Sequence, residues 1–305
     1  LINTFGAPAE ANAADWLLAA EYLRYGGSLA VVRAATGVLN ATLDGSAVLV
    51  GSKSDFDAGA GASEKFIART AGADGNNLHV VIVDRGPDFT ITKTGHGLSV
   101  GGTYTDDAAV GHEVVEVVDA NTVRIIQGTA APTPAAGDTS AAFTNSQWNA
   151  TAIGSTGLTY KEVGPRPGTS AFASERYVSY DEVYVAVVDT STNTIVERMT
   201  YLSKISDAKS PEGSSIYWKD YVNEFSGYIF AGALTTAEVT TLGSDPGAAV
   251  ASYGATAAAP IKIARILKTA GGALSGGTDD YAYTTGEISA AYTLFQDTEE
   301  TDLDF

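Results

Sequence analysis

The sequence contains no cysteine, so neither a disulfide framework nor a thiolate metal site can exist in it. Its 9 prolines are too few for a disordered Pro-rich polymer. Basic residues are scarce: 18 Lys and Arg stand against 36 Asp and Glu, a net charge of −18. Neutralising phosphates needs clustered cations, so neither nucleic acid nor an anionic membrane surface is expected as a partner. No apolar run approaches the about 20 residues of a membrane-spanning helix. Leu1-Ile2-Asn3-Thr4-Phe5 has no basic signal-peptide segment and no initiator Met, which leads us to expect part of a longer protein.

Catalytic and ligand-binding patterns are equally sparse. Of the 3 histidines, His79 alternates with apolar residues and reads as a structural strand residue. His96 and His112 could meet Asp106 or Asp107 at a metal, but no H-x-x-x-H spacing supports this, and no metal is expected. There is no G-x-S-x-G elbow. Gly271-Gly272 and Gly276-Gly277 lack the G-K-[ST] of a phosphate loop and read as turns. Asp74-Gly75-Asn76-Asn77 lacks the ligand periodicity of a calcium loop and reads as a structural turn. Asp297, Glu299, Glu300, Asp302 and Asp304 suit a solvated edge better than paired hydrolytic carboxylates. Neither a catalytic residue nor a cofactor is expected.

What the chain does contain is a core and many turns. Apolar residues make up 45% and glycines number 33 in a chain of 305 residues, enough for two domains. The large negative charge favours solubility at high local concentration and makes copies repel unless specific contacts offset it.

Asn12 to Tyr25 predicts a helix, capped by Asn12 and stopped by Gly26-Gly27, with Leu29 to Arg33 as a following strand. Val48 to Val50 is a weaker strand and Ser63 to Arg69 a short helix. Leu78 to Val83 predicts a strand buried on both faces. From Arg85-Gly86-Pro87 the chain becomes β-rich. Glu113 to Val118 and Thr122 to Ile126 flank Asp119-Ala120-Asn121 as a hairpin. Gly95 to Gly102 reads as a tight corner, Ala130 to Ala142 as a loop, and Gly164 to Gly168 as an extended exit.

Strands then recur at Glu182 to Val188 and Thr194 to Tyr201, around a Thr190-to-Asn193 turn. Ile216 to Phe225 predicts a helix and Gly227 to Phe230 a strand. Thr235 and Glu238 have capping-box spacing. Ile261 to Lys268 fits either period, and Thr285 to Gln296 predicts a helix with Ile288, Ala291, Tyr292 and Phe295 on one face. Tyr217, Trp218, Tyr221, Phe225, Tyr228 and Phe230 recur at spacings that favour core over a binding platform. The expected fold class is α+β or α/β. Residues 1–85 plus 177–305 would form one discontinuous α/β domain, and 86–176 an inserted small β-rich, barrel- or sandwich-like surface domain.

Several blocks recur in a characteristic order: Tyr25-Gly26-Gly27 before Val31-Val32-Arg33; Gly75, Asn76, Leu78 and Asp84; Glu197 with Leu202 and Ser203; Asn223, Ser226, Tyr228 and Ile229; and Gly276, Gly277 and Asp279. In this order they resemble the contractile tail sheath proteins of myovirus-type bacteriophages. Phe5-Gly6-Ala7-Pro8 resembles that family's turn before its first helix. The pattern is departed from at Asp74, where the family usually has Trp, and at Asp280, where it has Gly. The resemblance covers 1–84 and 177–305 and is weak over 86–176.

What the resemblance implies is structural. The chain would be a virion component of the tail, made in the host cytoplasm, whose assembly domain and strand-exchanging arms lie outside these residues. Its partners would be other copies, in hexameric rings of a helical sheath, together with tail tube, baseplate and tail terminator proteins. Contraction would drive the tube through the host envelope for genome ejection. Sheaths of pyocin-like particles or type VI secretion systems fit the same blocks. A carbohydrate-binding or adhesive β-protein is the alternative from a different class.

Overall fold

The computed structural model describes residues 8–26, 29, 31–32, 34, 37–234, 261–263, 265–266 and 270–293. In chain order the elements begin with helix α1 (Ala13–Arg24), strand β1 (Asn40–Thr42), helix α2 (Lys53–Asp57) and strands β2 (Phe66–Ala71) and β3 (Leu78–Val83). Strands β4 (Phe89–Thr92), β5 (Thr103–Thr105), β6 (Gly111–Asp119), β7 (Thr122–Ile126) and β8 (Thr139–Ala142) follow. Three short helices come next: α3 (Asn145–Ala150), α4 (Tyr160–Val163) and α5 (Ala171–Ser174). The remainder comprises β9 (Val178–Ser179), β10 (Glu182–Asp189), β11 (Thr194–Ser203), α6 (Trp218–Phe225), β12 (Ile229–Ala231), β13 (Ile261–Lys262), β14 (Gly272–Ala273) and α7 (Thr285–Thr293). Helices and strands are mixed, as expected of an α+β chain.

The chain forms two compact units: Leu1–Leu78 with Leu274–Phe305, and His79–Ala273. Both domain boundaries read from the sequence, 85/86 and 176/177, fall within the second unit.

In the first unit, β1 pairs antiparallel with β2, Asn40 opposite Ala71 and Thr42 opposite Ile67. Phe66 and Ile67 are fully buried. The expected helix over Ser63 to Arg69 is therefore corrected to a strand. A short apolar run cannot be assigned by periodicity alone, and pairing with β1 decides it. Asn40 is 0% exposed, and its side chain is satisfied. Its amide donates to Ala68 O at 2.8 Å and Val50 O at 3.1 Å, and its Oδ1 accepts from Val50 N at 2.7 Å. Such pairing is the condition for burying an amide without a penalty of about 1–3 kcal/mol. The expected strand at Val48 to Val50 reduces to one bridge, Val48 to Asn40.

Helix α1 matches its expected span, but Asn12 does not cap it. The Asn12 Oδ1 turns back to accept from Ala9 N at 2.7 Å. Leu29, Val31 and Val32 are irregular rather than strand, and Ala30 and Arg33 lie outside the described residues.

The second unit is built on a four-stranded sheet in the order β11-β10-β3-β14. Val183 to Val188 in β10 are all fully buried. Val81, Val83, Tyr184, Ala186 and Val188 meet Phe143, Trp148, Ile153 and Val163 in one core. Each fully buried Val or larger side chain stabilises by about 1.5–3 kcal/mol, so α3 and α4 are fixed on this sheet. The expected strands at Leu78 to Val83, Glu182 to Val188 and Thr194 to Tyr201 all form.

An antiparallel five-stranded sheet, β5-β6-β7-β4-β8, has its own core of Ile91, Tyr104, Val114, Val123 and Ile125. Its β6–β7 hairpin turns where Asp119-Ala120-Asn121 predicts, with Asp119 Oδ1 accepting from Asn121 N at 2.7 Å. The expected loop over Ala130 to Ala142 ends instead in the edge strand β8, whose residues are all exposed. Short β9 and β13 pair in parallel. The Thr235–Glu238 capping box, the last residues of the expected Thr285-to-Gln296 helix and the acidic run from Asp297 lie outside the described residues.

Candidate functional site

The residues that carry the sequence resemblance meet one another in space. In the first unit, Asn76 lies in the 3-10 turn Ala73–Asn77 that leads into β3. Its side chain forms a two-way clasp on the Gly277 backbone, donating to Gly277 O and accepting from Gly277 N, both at 2.9 Å. Asp279 Oδ1 accepts from Ala73 N at 3.0 Å, and Asp280 Oδ2 from Gly37 N at 2.9 Å. The Gly276 backbone has φ 81°, a left-handed conformation that glycine adopts without strain. A Cβ on Gly75 would lie 2.9 Å from the Cβ atoms of both Ala41 and Ala68, so glycine is required there by close packing. Leu78 O accepts from Leu274 N at 2.8 Å. Gly26 ends α1 with φ 82°; Gly27 lies outside the described residues.

In the second unit, Glu197 on β11 reaches the turn after α6. Glu197 Oε2 accepts a short hydrogen bond from Ser226 Oγ, and Oε1 accepts from Gly227 N at 2.9 Å. Ser226 Oγ in turn accepts from Ile229 N at 3.0 Å. Asn223 clasps the Ala231 backbone with bonds of 3.0 and 2.7 Å. Ser203 donates to Asp181 Oδ2 at 2.5 Å, as does Ser170 at 2.7 Å.

Asp84 is the centre of a buried charge cluster that the sequence did not disclose. Its carboxylate pairs with Lys204 Nζ at 2.7 and 2.9 Å. It also accepts from Arg85 N at 2.6 Å and Ile266 N at 2.7 Å. The side chains of Lys204 and Asp84 are 0% and 1% exposed. Burial pulls the Lys204 ammonium below its ordinary range, and Asp84 opposes that shift. Glu113 lies 3.5 Å from Arg265, and burial pushes its carboxyl up. The signal for Lys204 was present in Leu202-Ser203-Lys204-Ile205: a lysine between buried residues needs a buried anion.

The histidines are separated. His112 Nε2 lies 3.4 Å from Asp106 Oδ2, and Nδ1 accepts from Gly128 N at 3.1 Å. Since Nδ1 accepts, the proton sits on Nε2 and points at Asp106. The Thr133 backbone N–H, with the Val110 backbone N–H and the His112 side chain beside it, holds the Asp106 carboxyl below its ordinary range. His96 instead bonds Asp119 O at 2.8 Å. His79 is half-buried, and burial pulls its imidazole down. No group of three or more His, Asp or Glu suited to a metal occurs among the described residues. The aromatic series is divided: Tyr217, Trp218 and Phe230 are buried, whereas Phe225 and Tyr228 are exposed.

The clasps are hydrogen-bonded fasteners, and no nucleophile–base–orienter arrangement is found among the residues they join. No helix among the described residues is long and apolar enough to cross a membrane.

No family model matches the chain. It is 24% identical over 279 aligned residues to the tail sheath protein of Salmonella phage ViI, an alignment covering 78% of this chain and 42% of the relative. The chain thus spans less than half the length of that relative, and its likeness is that of a distant relationship to a phage tail sheath protein.

Proposed function

We propose that the chain is part of a structural subunit of a contractile phage tail sheath. The observation that carries this reading is the similarity to a tail sheath protein along 78% of the chain. The fastening geometry supports it: residues placed in sheath-like blocks pair with each other, Asn76 with Gly277 and Glu197 with Ser226. They hold a scaffold together, as a structural subunit requires.

In this reading, copies stack as hexameric rings around a tail tube, a heterologous assembly whose successive contacts wind into a helix. The stored energy is the difference between two packings of the same subunits, so contraction needs no nucleotide. Tube, baseplate and terminator proteins are the partners, and the virion tail is the location. The 1–85 plus 177–305 portion is the sheath scaffold. The 86–176 segment is a surface decoration that contributes little to contraction.

Negative-stain electron microscopy of the longer protein beside this 305-residue chain tests the reading. Tubular polysheaths from the longer protein, with only monomers from the 305-residue chain, are expected. A longer protein that stays monomeric at every salt concentration overturns it. Deletion of 86–176 is expected to leave contraction intact; loss of contraction from a folded deletion variant refutes the decorative role.

A further inference from the structure

The first unit carries a cleft of about 710 Å³ beside the Asp279 and Asp280 fasteners. Trp16 of α1, Ile288 and Tyr292 of α7, and Tyr281 and Tyr283 line it. Neither helix has a buried residue. A surface helix ordinarily hides its apolar stripe against a core. Here the lining residues Tyr283 and Tyr292 are 64% and 65% exposed. Asp15, Asp279 and Asp280 line the same cleft, and among the described residues no lysine or arginine does.

We propose that this cleft docks a partner segment presenting a lysine or arginine side chain flanked by apolar residues. Carboxylates beside aromatic faces are the environment a cation with an apolar stem prefers. The charge pairs with the acids and sits over a ring, while the methylenes cover apolar surface. Asp279 and Asp280 each commit one oxygen to a backbone N–H, of Ala73 and Gly37, and a carboxylate has further acceptor capacity. A cation pairs with these carboxylates, and a neutral glycan does not. A second copy of this chain is the wrong sign, at −18, for electrostatic complementarity. This chemistry is the same whether or not the chain packs into a sheath.

The test is a titration of the 305-residue chain with the capped peptide Leu-Arg-Leu-Leu-Arg-Leu, followed by tryptophan fluorescence. Trp148 and Trp218 are each 3% exposed, so the response reports Trp16. A saturable change is expected, absent in Trp16→Phe and weakened by about three- to fivefold in Asp15→Asn, the share of one exposed ion pair. Salt at 0.5 M should weaken it further. Asp15 is exposed in the first turn of α1, so this variant keeps the fold, which far-UV circular dichroism verifies. The same peptide with Glu in place of Arg should give no response. An equal response to the Glu peptide, a response indifferent to both Asp15→Asn and salt, or no response to either peptide overturns the proposal. So does a concentration-dependent dimer, seen by sedimentation, that silences the Trp16 signal.

Discussion

Removing Lys204 should unfold the second unit far more readily than its size suggests. The Asp84–Lys204 pair is 0–1% exposed with bonds of 2.7 and 2.9 Å. Removing one partner of such a pair strands the other charge and costs about 3–5 kcal/mol. In Lys204→Met, Asp84 keeps the backbone N–H groups of Arg85 and Ile266, so the lower end, about 3 kcal/mol, applies. In Asp84→Ala the ammonium is stranded and both N–H donors lose their acceptor. Each buried orphan donor adds about 1–3 kcal/mol, so the loss should exceed that of Lys204→Met. A domain's whole stability is about 5–15 kcal/mol, so either change is severe.

The double variant Asp84→Asn/Lys204→Met buries no charge and keeps an acceptor oxygen for Ile266 N. It should cost less than the sum of its singles, because replacing a buried pair with neutral groups is often close to neutral. The sign with pH is also fixed. In Asp84→Asn the folded-state Lys204 pKa, already lowered by burial, drops further below its unfolded value. The unfolded chain then binds more protons, and stability rises with pH up to about 10.4. Urea unfolding is read by tryptophan fluorescence in a Trp16→Phe background, which leaves Trp148 and Trp218 of the second unit as reporters. A Lys204→Met midpoint within the equivalent of about 1 kcal/mol of the parent, the range of an exposed pair, would refute the reasoning. So would a double variant as unstable as the sum of the singles.

Asn76→Ala loses both bonds to Gly277 and should cost about 2 kcal/mol at about 1 per net bond, read by Trp16 fluorescence of the first unit in a Trp148→Phe/Trp218→Phe background. Gly75→Ala forces a Cβ to 2.9 Å from Ala41 and Ala68; overpacking of about 1–3 kcal/mol is expected, relieved in part when Ala41→Gly is added, since the Ala68 contact remains. Asp106 is held below its ordinary range, so its contribution is complete above the unfolded carboxyl value and is lost as pH falls through the folded one. Amide exchange at Thr133 and Val110 should accelerate in that acid window, and Asp106→Asn should remove the dependence.

The elements that were legible in the sequence carry strong local signals. Leu78 to Val83 is a nearly unbroken apolar run, and Asp119-Ala120-Asn121 is turn chemistry between two β-branched stretches. Strand β1 was not legible: Asn40-Ala41-Thr42 has no apolar alternation, and its burial rests on an amide satisfied by Val50 and Ala68. Phe66 and Ile67 suited helix and strand equally. The blocks around Asn76, Glu197 and Gly277 were legible as blocks, but their pairing was not. Asn76 and Gly277 are 201 residues apart, and no periodicity links positions at that distance. Lys204 was missed for the same reason, since its partner Asp84 is 120 residues away.

The strands through which the chain leaves the first unit and returns to it are bonded neighbours. Gly272 stands opposite Val80 and Ala273 opposite His79, and Leu274 N reaches Leu78 O. Antiparallel partners lie about 5 Å apart, so positions 79 and 273, the two ends of the second unit, stand side by side. A short linker can therefore join those two ends, the geometry that circular permutation of the second unit requires.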